Sequence, residues 1–294
     1  MKCEKCKEKA ITTNPNYCEV HFKEYIEQKV KHTIEKYELI KNTDKVVVAA
    51  SGGKDSMVLL YLLHKFGYNV EALAIDEGIE NYRDHTLEFL ANFCKKNELT
   101  LKIVSYQEAI GKRLDEIIPK GRPACAVCGT FRRDLLNKHA TEYDKIATGH
   151  NMDDETQAIL MNLFRAQTKL FARQGPKTRK IKGFTQKIKP LYFVKEKEVM
   201  IYSFLLGLNT AFNECPYAQD SFRAQLRDIL NEYESKNPGT KKNILNKYLE
   251  LVKETNFEKQ DIGKCKECQS PTSEEICKAC RLKKNIQKIN LKKN

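Results

Sequence analysis

The stretch that most constrains this chain is Val46-Val47-Val48-Ala49-Ala50-Ser51-Gly52-Gly53-Lys54-Asp55-Ser56. A continuous apolar run rich in Val reads as a strand covered on both faces, the condition of a parallel sheet sandwiched by helices. Two glycines then lead into a helical pattern from Ser56 to Phe66. The same alternation continues with strands at Val70 to Ile75, Leu101 to Tyr106 and Lys145 to Thr148, and helices at Tyr82 to Lys96, Phe131 to Tyr143 and Asp153 to Phe164. It predicts an α/β fold with a doubly wound, mostly parallel sheet. Such sheets bind ligands beyond the carboxyl ends of their strands. Ser51-Gly52-Gly53, Asp76-Glu77 and Gly149-His150-Asn151 all fall there.

At a strand–helix turn, glycines let the backbone approach phosphates, and free N–H groups at the helix start bind anions. A plain glycine-rich turn is the alternative for the glycines alone. The spacing is not that of the common NTPase loop. The hexapeptide Ser51-Gly52-Gly53-Lys54-Asp55-Ser56 resembles the PP-loop of the ATP pyrophosphatase superfamily, whose members grip the pyrophosphate of ATP and transfer AMP to a carbonyl oxygen. The resemblance implies ATP held along Ala50, Ser51, Gly52, Gly53, Lys54, Asp55 and Ser56, with Asp55 helping to hold Mg2+ and Ile75 facing adenine. Gly149-His150-Asn151-Met152-Asp153-Asp154-Glu155 resembles the second nucleotide motif. It implies Gly149 near the nucleotide and Asp154 near the metal or the activated base; an Asp-capped helix start reads equally from these residues.

Eleven cysteines, mostly in C-x-x-C pairs, favour metal binding over cross-linking. Cys3, Cys6, Cys18 and His21 make one set of four soft ligands, and Cys265, Cys268, Cys277 and Cys280 another. Both suit tetrahedral Zn2+, and segments so poor in apolar residues need a metal to fold. Cys94 shares a helix face with Leu87, Leu90 and Ala91 and reads as a core thiol. Cys125 and Cys128, placed before a helix, and Cys215, between two helices, remain. Three thiolates can hold an iron–sulfur cluster with one iron open. A redox pair at 125 and 128 with a bystander at 215 fits the spacing as well.

Pro123-Ala124-Cys125, Cys128-Gly129, Phe131-Arg132-Arg133 and Cys215-Pro216-Tyr217, with a cysteine knuckle at each end, are similar to the archaeal and eukaryotic cytoplasmic tRNA 2-thiolation family of PP-loop enzymes, from Cys3 to Cys280. The resemblance implies a [4Fe–4S] cluster on Cys125, Cys128 and Cys215. It implies adenylation of a uridine C2 oxygen, then replacement of that oxygen by sulfur. One branch acts on the T-loop uridine and carries Lys where Arg132 stands; Phe131-Arg132-Arg133 looks closer to the wobble-uridine branch. Arg132 then carries over as a phosphate or substrate contact. The family also implies a cytoplasmic homodimer, with free sulfide or a ubiquitin-like carrier protein as the sulfur source.

Charge agrees with an RNA partner: the 294 residues carry a net +13, which favours a polyanion. Residues 165–189 hold nine Lys or Arg, no acidic residue, and Phe171 and Phe184, a pattern able to track a phosphate backbone and stack bases. A solvated loop is the plainer reading. No apolar run nears the ~20 residues that span a bilayer, and no apolar signal region opens the chain, so no membrane is expected. The expected organisation is an N-terminal zinc module over 1–24, a catalytic domain over 25–235, and a helix, second zinc module and basic tail over 236–294. Helical patterns at Lys195 to Leu208, Gln219 to Tyr233 and Lys241 to Glu254 lie across the last boundary. An amide- or lysidine-forming PP-loop synthetase, which needs no spare cysteines, is one rival. A zinc protein that only binds RNA is the other.

Overall fold

Alternate residues of the central strands face two different cores, which is what makes an apolar run both necessary and sufficient here. In the computed structural model, which describes residues 1–118, 124–208, 215–217, 222–255 and 262–291, helix α1 (Glu19–Lys36) leads into β1 (Val46–Ala49). The chain continues through α2 (Lys54–Lys65), β2 (Val70–Asp76), α3 (Arg83–Lys96), β3 (Leu101–Ser105), the short helices α4 (Tyr106–Ile110) and α5 (Leu114–Ile117), and α6 (Ala124–His139). Then come β4 (Lys145–Ala147), α7 (Met152–Phe164), α8 (Thr168–Phe171), β5 (Gln186–Ile188), α9 (Glu196–Leu205), α10 (Phe222–Lys236) and α11 (Thr240–Glu254). A small hairpin, β6 (Gly263–Lys264) and β7 (Pro271–Thr272), and α12 (Lys278–Leu291) complete the described residues.

The five strands β1 to β5 are all parallel, in the order β3-β2-β1-β4-β5. Val46, Val48, Ala72 and Ala74 pack with α1, α2 and α9, whereas Val47, Leu73 and Ile75 pack with α6 on the opposite face. Cys94 is buried beside Leu90 in the first of these cores, as a core thiol should be. From β1 the chain winds outward through β2 and β3, then returns to the other side for β4 and β5. The direction of winding therefore reverses between β1 and β4, and a crevice opens at the carboxyl ends of those two strands.

Two differences from the sequence expectation bear on the site. β5 lies inside the basic stretch, and of its three residues only Ile188 is buried; flanking lysines hide so short an edge strand from a hydropathy scan. Helix α6 begins at Ala124, so Cys125 and Cys128 sit within its first turns. Val127, Phe131 and Leu135, all buried at i, i+4 spacing, drive the helix through Gly129, which reads as a stop in isolation. The helix expected over 195–208 spans Glu196–Leu205 and that over 219–233 spans Phe222–Lys236; residues 219 to 221 lie outside the described residues, as does Pro123.

Helix α11 is tied into the sheet region by a buried ion pair. Lys241 Nζ, 5% exposed, reaches Asp153 Oδ1 at 2.5 Å and Asn231 Oδ1 at 2.5 Å. The other Asp153 oxygen accepts from the Glu196 backbone N–H at 2.7 Å. One carboxylate at the start of α7 thus collects α9 and α11, and Lys241 brings in α10 through Asn231. No helix among the described residues is long and apolar enough to cross a membrane.

Candidate active site

The loop after β1 is held open by its own hydroxyls. Ser56 Oγ accepts from the Ser51 N–H at 3.1 Å and donates to the Gly53 carbonyl at 2.9 Å, and Ser51 Oγ lies 3.2 Å from it. Gly53 is the N-cap of α2 and no side chain caps that helix, so its first N–H groups face the crevice. Gly52 has φ +79°, and a Cβ there would stand 2.1 Å from the Thr86 carbonyl. No other residue type fits this position.

The loop after β4 packs directly on this one. A Cβ at Gly149 would lie 2.9 Å from the Asp55 carbonyl carbon and the Ser56 nitrogen. Asn151 caps α7, accepting from the N–H groups of Asp153 and Asp154 at 2.9 and 3.1 Å, while the Asp154 carboxylate accepts from the Asn151 N–H at 3.2 Å. The cap is therefore Asn151, with Asp154 as its reciprocal partner. The Asn151 amide also donates to Asp55 Oδ1 at 3.0 Å, which joins the two loops.

Charge is concentrated at this junction. Lys54 Nζ lies 3.0 Å from both Asp55 Oδ2 and Glu196 Oε1, and Arg223 lies 3.5 Å from Asp154. Burial pushes the Asp55 carboxyl above its ordinary value; Lys54 opposes the shift and Asp154 adds to it. Burial likewise raises Asp154, against Arg223. Two half-buried carboxylates that repel each other where the two loops meet form an oxygen donor set for a hard cation, and Mg2+ fits it. Glu196 and Arg223 escape a reading by motif because α9 and α10 enter from far along the chain. Ile75 is placed differently from its neighbours: it is 3% exposed, its side chain lies in the α6-side core, and its carbonyl is already taken by Arg83.

The three internal cysteines gather on the α6 side of the same sheet end. Cys125 Sγ lies 3.5 Å from the Tyr217 carbonyl, two residues past Cys215. Tyr106 Oη donates to the Cys128 carbonyl at 2.7 Å. Cys125 is exposed, and Cys128 and Cys215 are half-buried. Burial, reinforced by Glu77, pushes the Cys128 thiol up to about 11, with Arg132 opposing; burial raises Cys215 too. Among the described residues, only the two terminal quartets bring three or more such ligand atoms within 4.8 Å of one another. The internal trio is more widely spaced than a single ion requires, and its all-sulfur donor set fits a cluster larger than one ion.

Glu77 connects the two halves. Its carboxylate, 6% exposed, pairs with Arg83 at 2.9 Å and approaches Arg132 at 3.9 Å. Arg83, 3% exposed, donates onward to the Ser51 carbonyl at 2.5 Å, to the Ile75 carbonyl at 2.5 Å and to Thr86 Oγ1 at 3.0 Å.

The terminal quartets are tetrahedral in spacing. Cys6 and Cys18 sulfurs are 3.7 Å apart, as are those of Cys268 and Cys277, against about 3.8 Å for the edge of a tetrahedron with ~2.3 Å zinc–sulfur bonds. His21 Nδ1 lies 3.3 Å from both Cys3 and Cys18 sulfurs. At Cys265 burial would raise the thiol, but the backbone N–H groups of Cys277 and Cys268 outweigh it and bring it down to about 6, easing the thiolate a zinc ion needs. Metal analysis of cluster-free protein is expected to give two zinc ions per chain, one for each quartet. Cys277→Ser should remove one of them and speed hydrogen exchange in α12 while β1 to β4 stay protected. Unchanged zinc content would exclude that quartet as a metal site.

Comparison with known proteins places this architecture. The PP-loop domain family matches residues 22–233. A tRNA-5-methyluridine(54) 2-sulfurtransferase of Pyrococcus horikoshii is 40% identical over 99% of this chain and 96% of its own. The chain belongs to the tRNA 2-thiolation family of PP-loop ATP pyrophosphatases, the tRNA sulfurtransferases. Within that family, the tRNA 2-thiolation protein NcsA of Haloferax volcanii is 33% identical over 98% of this chain and 100% of its own. The solved structure of the U34-tRNA thiolase NcsA from Methanococcus maripaludis, with its [4Fe-4S] cluster, superposes with a TM-score of 0.84 at 35% identity, covering 97% of this chain and 96% of that one. Members on either side thus act at different tRNA positions.

Proposed function

We propose that this chain thiolates a tRNA uridine at C2 in two steps, adenylation at the loop after β1 and sulfur transfer beside Cys125, Cys128 and Cys215. The observation that carries the reading is the pairing of an anion-binding loop with an unclosed trio of thiols at one end of one sheet, bridged by Arg83 and Glu77. A synthetase that forms an amide or lysidine has no use for that trio.

In the first step the uridine C2 oxygen attacks the α-phosphorus of ATP, and the bond to pyrophosphate breaks. Lys54 and the N–H groups at the start of α2 face the charge that develops on the phosphates. Asp55 and Asp154 are the carboxylates that would hold Mg2+, which supplies further charge neutralisation when bound. In the second step a hydrosulfide adds to C2 and the C–O bond to AMP breaks, so sulfur enters without a change in oxidation state. A [4Fe–4S] cluster on the three cysteines would supply an open iron for the incoming sulfur. Arg132, half-exposed near Cys128, is placed to contact the substrate. The protein's remaining task is orientation, since reacting groups held in line gain several orders of magnitude in rate. A single-stranded loop uridine enters at less cost than a paired base.

We place the modified uridine at the wobble position, because Arg132 stands where the T-loop branch carries Lys. The Pyrococcus horikoshii relative, named for position 54, favours the T-loop as a second reading. Purified protein with ATP, sulfide and tRNA is expected to release pyrophosphate and to leave 2-thiouridine at the wobble position, read by nucleoside mass spectrometry mapped by position. A thionucleoside in the T-loop would instead establish the second reading. Binding of tRNA with no pyrophosphate release would remove the enzyme reading altogether.

A further inference from the structure

We propose that Glu77 and Arg83 are positioning residues that couple the two steps, fixing the adenylated uridine over the site from which sulfur arrives; the inference rests on the two-step reading above. Neither residue belongs to the phosphate loop, the second nucleotide motif or the cysteine set. Yet the pair is the most deeply buried charge contact between them, with Arg83 at 3% and Glu77 at 6% exposure.

The geometry is that of a rigid strut. Arg83 stands at the first position of α3, and its planar guanidinium spends its donors on three different segments. Two go to the Ile75 carbonyl at the end of β2, one to the Ser51 carbonyl in the phosphate loop, and one to Thr86 on its own helix. Thr86 in turn is the residue whose carbonyl closes on Gly52, so the loop is gripped from both sides. Glu77 follows β2 directly. Its Oε2 forms an ion pair with Arg83, 2.9 Å from the Nε whose hydrogen goes to the Ile75 carbonyl, and its Oε1 faces Arg132 on α6, one turn beyond Cys128. The Glu77 carbonyl accepts the Leu114 N–H at 2.8 Å, anchoring the segment to α5.

A pair retained only for stability would be a poor choice here. Buried ion pairs are often matched by apolar residues of similar volume, whereas loss of one partner strands the other. What apolar residues cannot do is hold a backbone carbonyl of the phosphate loop and the guanidinium beside the thiols at a fixed separation. A small misplacement between reacting groups costs about 10²-fold in rate. The strut therefore governs how many activated uridines are thiolated before they revert by hydrolysis.

The test is the ratio of thionucleoside formed to pyrophosphate released, with ATP affinity and iron content measured alongside. Glu77→Asp keeps the charge and the Arg83 contact but is one methylene too short to serve Arg132 as well. It is expected to bind ATP and iron as the unaltered protein does, with the ratio reduced about 10-fold or more. Arg83→Lys keeps the charge but replaces a forked donor by a point, and loses the Ser51 carbonyl; the expected signature is a lower kcat for pyrophosphate release and a lower ratio, at unchanged iron. Glu77→Gln adds the loss of charge. Should Glu77→Gln not fold, Glu77→Asp decides alone. A ratio equal to that of the unaltered protein in folded, iron-loaded Glu77→Asp and Arg83→Lys would overturn the proposal, even if both melt earlier. Failure of the unaltered protein to release pyrophosphate would instead remove the two-step reading, so the two failures are distinct.

Discussion

Cys215→Ser is expected to abolish thiolation while leaving pyrophosphate release largely intact. A serine hydroxyl is a hard, poor substitute for a thiolate toward iron, so iron content after anaerobic reconstitution should fall far beyond the ~10–100-fold loss of affinity that removal of an outer partner causes. The loop after β1 does not touch Cys215: its hydroxyl network runs from Ser51 to Ser56, and its outer anchor is Arg83. Adenylation should therefore persist, and adenylated tRNA should accumulate or hydrolyse. Iron at the unaltered level with no thiolation would make Cys215 a persulfide nucleophile instead. Iron and thiolation both unchanged would make it a bystander. One variant read three ways thus separates three chemistries.

Asp55→Ala is expected to act on the other step. Asp55 is the meeting point of Lys54, the Asn151 amide and the repulsion from Asp154. Its removal takes away one of two carboxylates suited to Mg2+ and frees Lys54 to settle wholly on Glu196. Pyrophosphate release should fall on the order of 10²–10³-fold, the effect of deleting one preorganised electrostatic contact. Affinity for tRNA in a gel shift should not change, since the cations of residues 165–189 lie elsewhere in the chain. A parallel loss of tRNA affinity would assign the loop to RNA rather than to ATP.

The fold was legible wherever one local signal sufficed. β1 and β2 announce themselves by apolar runs, because a strand covered on both faces has no polar side to hide behind. The loop of Ser51 to Ser56 and the two quartets are short-range constellations, and spacing alone reveals them. What escaped reading is assembled over distance or masked by charge. β5 is a three-residue edge strand in a lysine-rich segment, with Lys189 drawn inward by Glu155 at 2.7 Å. Glu77 is legible only as a residue at a strand's carboxyl end, and Arg83 looks like an ordinary surface charge until the sheet places the two together. Nothing near Asp153 in the sequence hints that its partner is Lys241.

That last contact orders events in time. The partners of the Lys241–Asp153 pair are 88 residues apart. At ~5–20 residues per second, a ribosome needs roughly 4–18 s to supply the lysine after the aspartate has been made. During that interval the parallel sheet can form from β1 to β4 and the phosphate loop can take shape, but the start of α7 carries a carboxylate with no counter-ion. The start of α7, which carries the Asn151 cap, therefore gains its last buried contact from the far end of the chain. A nascent chain stopped short of α11 would carry both nucleotide loops, but the Asp153 carboxylate behind the second would lack its buried counter-ion.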